Sequence, residues 1–207
     1  MSAGPPITTV LGVDPGLTRC GIGVVVGPAS RPSAVHHECV RTSPDTPLEE
    51  RLLAVHDAVL GAIEQHRPDA VAVERVLFSS NVRSAMATGQ AAGVALLAAA
   101  RAGLAVTFYS PNEVKETVTG DGSADKTAVG LLVAAQLRLD EVPQPADVAD
   151  ALAVAITHLA RSRLASAIAG TPAAATLADA QRASGRSQRR GWEAHLVERG
   201  LMGRGGA

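Results

Sequence analysis

Four carboxylates in this chain close or open an element instead of lying along its flank. Asp14 ends the apolar run Val10-Leu11-Gly12-Val13, and Glu74 ends Ala70-Val71-Ala72-Val73. Asp147 and Asp150 are three residues apart at the start of a segment with a helical apolar face. That spacing puts both on one side of a first helical turn, where the helix dipole favours negative charge. Clustered carboxylates repel, so a fold that gathers four of them keeps the cluster mainly when a cation neutralises it. Hard oxygen ligands select Mg²⁺ or Mn²⁺ over softer metals. Two such ions roughly 3.5 to 4 Å apart can activate a water and stabilise the leaving oxygen of a phosphodiester in an in-line displacement. Each acid taken alone also has a plainer reading: Asp14 caps the Asp-Pro-Gly turn, and Asp147 with Asp150 caps a helix N-terminus.

The elements that must bring these acids together follow from periodicity and turn chemistry. Val10 to Val13 and Gly21 to Val26 are β-forming runs separated by Pro15-Gly16, so they read as a hairpin with Asp14 at its rim. Residues 34 to 40 read as a third, antiparallel strand near an edge, with His36 and His37 as ordinary strand residues. From Leu48 to Arg67 the apolar positions 48, 52, 55, 59, 60 and 63 keep helical spacing, and Pro68 closes the helix. Ala70 to Val73 is then a buried parallel strand. Ligands of open α/β sheets collect beyond the carboxyl ends of the strands, where Asp14 and Glu74 meet if their strands are neighbours. Val82 to Ala102 reads as a long helix whose Gly89-x-x-x-Gly93 and many alanines imply close approach to the sheet or to a second subunit. A short strand from Leu104 to Tyr109, a helix opened by Pro111-Asn112-Glu113 that carries Lys115, and a helix from Asp125-Lys126 to about Leu139 follow. The Gly120-Asp121-Gly122 break between those helices reads as a loop, with phosphate cradling the alternative. In the last helix, Val148, Leu152, Ala155, Ile156 and Leu159 form the inward face.

Composition bounds the rest. At 207 residues, 46% hydrophobic and 2% aromatic, the chain can bury one ordinary domain with an aliphatic, alanine-rich core and carry a tail besides. Neither Cys20 nor Cys39 belongs to a Cys-x-x-Cys pair, the first residues lack the regions of a signal peptide, and no apolar run is long enough to span a bilayer. A soluble cytoplasmic protein is the expectation. Residues 1 to 160 hold 11 Lys/Arg against 17 Asp/Glu, whereas residues 161 to 207 hold 8 Arg against 3 Asp/Glu. The folded part is therefore acidic and the tail basic, so a nucleic-acid partner must be argued from local placement and not from net charge.

The ordered set Leu-Gly-Val-Asp14-Pro-Gly, Val-Glu74-Arg-Val, Gly89-Gln-Ala, Val-Lys115, Gly120-x-Gly-Ser-Ala-Asp-Lys126 and Ala-Asp147-x-Ala-Asp150-Ala-Leu-Ala-x-Ala-Ile-Thr-His158 resembles the RuvC Holliday junction resolvases over about residues 8 to 163. The resemblance implies an α/β, RNase H-like fold: a mixed five-stranded sheet, three strands antiparallel, flanked by helices. It implies a homodimer that nicks two opposed strands of a four-way DNA junction during recombination and repair. It also implies sequence preference at the cut, two Mg²⁺ ions per subunit with Mn²⁺ able to substitute, and cooperation with the RuvA and RuvB branch-migration proteins. Asp14, Glu74, Asp147 and Asp150 match the family's catalytic and metal-binding acids. In the implied mechanism Asp14 lies at or between both ions, Glu74 and Asp150 are ligands, and Asp147 is a ligand or orients the attacking water. Lys115 and Lys126 match basic residues that work near the scissile phosphate and along the DNA.

Where many members carry an aromatic three residues after the catalytic Glu, this chain has Leu77, followed by Phe78. Either an apolar wedge or a stacking ring suits a junction, so both are candidate DNA contacts, as is Arg75 through phosphate. The nuclease domain is expected over residues 8–164. Residues 165–207 are expected to form a basic, Ala/Arg-rich, disordered tail, with a short amphipathic stretch between Trp192 and Leu201. Other readings stay open: an ATP-binding phosphotransferase of the actin and sugar-kinase type, which needs a second phosphate loop and a duplicated domain; a junction-binding module without chemistry; and a YqgF-type nuclease.

Overall fold

The computed structural model describes residues 8–75 and 82–169. Leu77, Phe78 and the stretch from Trp192 to Leu201 lie outside the described residues. The chain divides into two compact units, residues 1–162 and 163–207; of the second, only the end of the last helix is described. The elements run β1 (Thr8–Asp14), β2 (Arg19–Gly27), β3 (Ser33–Arg41), α1 (Leu48–His66), β4 (Ala70–Glu74), α2 (Val82–Arg101), β5 (Ala105–Tyr109), α3 (Pro111–Thr119), α4 (Lys126–Leu137) and α5 (Ala146–Ala169). Among the described residues no helix is long and apolar enough to cross a membrane.

The strands form one sheet in the order β3-β2-β1-β4-β5. The first three are antiparallel neighbours and β4 and β5 continue parallel to β1, the mixed RNase H-like arrangement. The Pro15-Gly16 turn sets the hairpin register, with Val10 opposite Val25 and Asp14 opposite Gly21. The expected edge strand is present as β3, and its register against β2 shifts between Val24 and Val25. Its His36 ring stacks on His66 at the end of α1, with centroids 5.0 Å apart.

Turn and cap chemistry explains where the helices stop and start. Arg67 ends α1 in the left-handed conformation, its N–H donating to Ile63 O, and Pro68 forbids a further turn. The helix α3 begins with a capping box: Ser110 Oγ accepts from Glu113 N, and the Glu113 carboxylate accepts from Ser110 N. Asp125 caps α4 through Ala128 N, and α4 ends at Leu137, two residues before the expected end, because Arg138 turns left-handed.

Alternation along the strands divides the core between the two faces. Leu11, Val13, Val71 and Val73 join Val55 and Val59 of α1 and Ala91, Ala95, Ala98 and Ala99 of α2 in one cluster. Val10, Val25, Ala72 and Tyr109 join α3, α4 and α5 in the other. The close approach expected of α2 is made by its alanines. Gly89 and Gly93 face open space.

The helix α5 is buried on every side at its centre, with Ala151 to Ala155 fully inaccessible. Its backbone lies directly on the sheet, because a Cβ at Gly12 would strike Ala151 O and one at Gly21 would strike Asp147 O. Neither obstacle is a side-chain tip that can swing aside. Gly21→Ala is therefore expected to cost about 1 to 3 kcal/mol of stability as an overpacking change. Gly61→Ala, at an open position within α1, should be neutral or stabilising by up to about 1 kcal/mol. Urea denaturation of the two variants beside the parent checks this, and equal midpoints for both would contradict it.

Candidate active site

Side chains alternate along a strand, and Gly12 faces α5, so Asp14 faces α5 too. On β4 the same rule sends Glu74 to the α5 side, because Ala72 packs in the α5 cluster. The strands β1 and β4 are parallel and Val13 pairs with Val73, so Asp14 and Glu74 each stand one residue beyond a shared rung. Adjacent strands lie about 4.8 Å apart. The two acids thus emerge side by side at the carboxyl end of the sheet. The first turns of α5 bring Asp147 and Asp150 over the same end, both with side chains 19% exposed. All four sequence-predicted acids share one corner of the fold.

Their electrostatics show how close they are. Burial pushes the Asp14 carboxyl up to about 8, and the charges of Glu74, Asp150 and Asp147 push in the same direction. Glu74 rises to about 7, through burial first and Asp150 second. Lys126 opposes both shifts, and two basic side chains pair with the acids of α5. Lys126 Nζ donates to Asp150 Oδ2 at 2.9 Å, and Arg19 Nε stands 3.2 Å from Asp147 Oδ2. Asp147 Oδ2 is nevertheless buried and accepts no hydrogen bond. Lys115, half-buried on α3, also draws the Glu74 carboxyl down.

This donor set suits a hard cation: all oxygen, two carboxyls above the ordinary range, and one buried carboxylate oxygen with no hydrogen-bond donor. As the side chains stand, no three His, Cys, Asp or Glu groups among the described residues enclose a single point.

Arg75 is exposed, and its backbone N–H donates to Tyr109 O at 2.7 Å. Sequence reading passed over several residues around the acids. Arg19 offered no signal, since its partner is on a helix more than a hundred residues later. Tyr109 pairs in register with Glu74, and its hydroxyl lies 3.0 Å from His158 Nδ1. Arg161 of α5 donates to Glu113 Oε1 at 2.8 Å and lies over the Tyr109 ring. These contacts tie α3, and Lys115 with it, to α5. The Ser110-x-x-Glu113 capping box was the one signal in sequence that could have drawn attention to Glu113.

Residues 10–158 match the family model described as crossover junction endodeoxyribonuclease RuvC. The chain is 54% identical over 163 residues to the protein of that name from Salinispora arenicola, covering 76% of this chain and 93% of the relative. It is 49% identical over 192 residues to that of Rhodococcus jostii, covering 91% and 95%. Among solved structures, Thermus thermophilus RuvC in complex with a Holliday junction substrate superposes with a TM-score of 0.73 at 42% identity, covering 76% of this chain and 96% of that one.

A carboxyl raised from 3.8 to about 8 makes the native state hold a proton that the unfolded chain has lost. Stability contributed at this position therefore falls as pH rises through that window. Asp14→Asn removes the penalty. Without divalent metal, the variant is expected to melt higher than the parent at pH 8, with the gap closing toward pH 4. Thermal denaturation across that range in chelator checks it, and a gap independent of pH would contradict it.

Proposed function

The chain belongs to the RuvC family of crossover junction endodeoxyribonucleases, and from that premise we propose that it resolves Holliday junctions with Asp14, Glu74, Asp147 and Asp150 as its catalytic acids. The observation that carries this reading is the meeting of the four carboxylates at the carboxyl end of β1 and β4, where burial and mutual repulsion raise Asp14 and Glu74 and added positive charge would be needed to keep all four ionised. Asp14, Glu74, Asp147 and Asp150 would hold two Mg²⁺ ions, with Mn²⁺ as a substitute. When bound, such ions supply an activated water and charge neutralisation at the scissile phosphate.

The chain's own residues do the rest. Asp14, enclosed and raised by its acidic neighbours, would serve the ions as a carboxylate once their charge offsets that repulsion. Asp147, whose buried Oδ2 accepts no hydrogen bond and faces Arg19 at 3.2 Å, would serve as a ligand or orient the attacking water. Lys126 and Lys115 lie at the rim of the acid cluster, where they neutralise and position phosphate without reading bases. Arg75, exposed just beyond Glu74, takes a flanking phosphate, and Leu77 and Phe78 are the residues of this chain that would engage the unstacked bases of the junction. The nuclease domain spans residues 8–164, residues 165–207 are a dispensable basic tail, and the enzyme works in the cytoplasm with RuvA and RuvB.

Symmetric cutting needs two sites, and so a homodimer. On α2 the exposed residues Val82, Met86, Gly89, Gly93 and Leu97 form one stripe, with Val82 67%, Met86 63% and Leu97 53% exposed. That stripe is the surface on which two copies would pair. Ala92, off this stripe, is buried within the single chain, which makes it a poor probe of dimerisation.

Two experiments test the proposal. A labelled four-way junction and a linear duplex of the same sequence are incubated with and without Mg²⁺, using the parent chain and Asp147→Asn. The expected result is paired symmetric nicks in the junction alone, dependent on metal, with the variant binding the junction but cutting it at least about 100-fold more slowly, a loss of roughly 2.7 kcal/mol of transition-state stabilisation. Equal cutting of both DNAs would refute junction selectivity. In sedimentation analysis Met86→Glu should convert dimers to folded monomers, and a persistent dimer would refute the assigned surface.

A further inference from the structure

Beside the acid cluster, α4 and the loop that leads into α5 enclose an open cavity of about 310 Å³. Its lining includes Lys126, Thr127, Leu131, Val142, Gln144 and Asp150. The loop lies close because α4 has Gly130 there, where an added Cβ would stand 3.0 Å from Val142 Cγ1. The volume lies at the small end of the roughly 300 to 1,000 Å³ usual for pockets that hold a ring-sized ligand.

Three features identify the occupant. Asp150 and Lys126 belong both to this cavity and to the acid cluster, so whatever fills it is contiguous with the site at which the nuclease reading puts the scissile phosphate. The walls beyond them are apolar: Leu131 on α4 stands 56% exposed, and Val142 and Pro143 line the space from the loop. Such walls suit the two faces of a planar ring. The Gln144 amide and the Thr127 hydroxyl line the same space with no hydrogen-bond partner among the described residues. Each can both donate and accept, which suits the mixed edge of a base. One lysine beside an aspartate is a poor receptor for a second phosphate. Bases at a branch point also cost less to unstack than bases within a duplex.

We propose that this cavity is a base subsite that takes one unstacked nucleobase flanking the scissile phosphate, with Gln144 reading its edge. The assignment rests on the nuclease reading above and adds to it a source of sequence preference at the cut.

The test uses the full chain and a synthetic junction whose cut has been mapped. 2-Aminopurine is placed in turn at the two nucleotides flanking that cut, and its fluorescence is followed on binding in the absence of divalent metal. In parallel, junctions carrying each of the four bases at those positions are cleaved in Mg²⁺. The parent chain should raise the fluorescence at one position and discriminate among bases there. Gln144→Ala should shrink the ratio between the best and worst base by about tenfold, the scale of one lost hydrogen bond. Leu131→Ala, which removes one wall, should reduce the fluorescence rise. Both positions are exposed, so the fold should survive either change. The subsite is overturned if junctions are cut but neither flanking base unstacks, or if both variants keep the parent's base profile and fluorescence. If the parent cuts no junction at all, the nuclease reading fails and takes the subsite with it.

Discussion

At Gly12 and Gly21 the backbone of α5 lies directly against the sheet, and the rest of the site depends on that contact. Ordinary helix-on-sheet packing leaves room for side chains. Here Gly12 and Gly21 remove them on one side, and the carbonyls of Ala151 and Asp147 occupy the space. The helix that carries two of the four acids is thereby fixed at the rim of the strands that carry the other two. Full burial of Leu152 alone contributes about 1.5 to 3 kcal/mol, and its neighbours from Ala151 to Ala155 are equally inaccessible. Apolar burial of this kind offsets the repulsion among the carboxylates that it gathers.

Magnitudes decide how that repulsion is relieved. Two like charges 4 Å apart at an effective dielectric of 20 oppose each other by about 4 kcal/mol. An exposed ion pair returns about 0 to 1 kcal/mol. The Lys126 side chain is 74% exposed and Arg19 is 57% exposed, so neither can hold the whole cluster ionised. Asp14, the most enclosed, keeps its proton instead. An acid with a pKa near neutrality, placed by its surroundings and not by its own chemistry, is a common mark of a functional site.

How much of this could be read from the chain depends on the range of the interaction. The element order was legible because it rests on local signals: apolar alternation, Pro15-Gly16, Pro68 and Asp125. The convergence of Asp14 and Glu74 was legible because two apolar strands each end on an acid, and parallel neighbours bring such ends together. The close contact at Gly12 and Gly21 was not, since a glycine within a strand can mark a bulge, a bend or a close backbone approach, and nothing local says which or names the partner. At Gly89 and Gly93 the spacing left two readings open, approach to the sheet or to a second subunit; alanines make the approach to the sheet, and both glycines face open space. Arg19 on Asp147, His158 on Tyr109 and Arg161 on Glu113 join residues distant in sequence, and nothing local announces such pairs.

The two margins of the sheet also govern how the protein behaves at high concentration. An unpaired strand edge is a template for adding another chain, and fibres begin at long, flat, apolar ones. At one margin β5 has only five residues. At the other, β3 carries His36, His37, Glu38 and Arg41, and its register slips against β2, which twists the ribbon away from flatness. A chain that is nearly half hydrophobic thus keeps its outer strands too short or too charged to recruit a sixth, and resists edge-to-edge polymerisation.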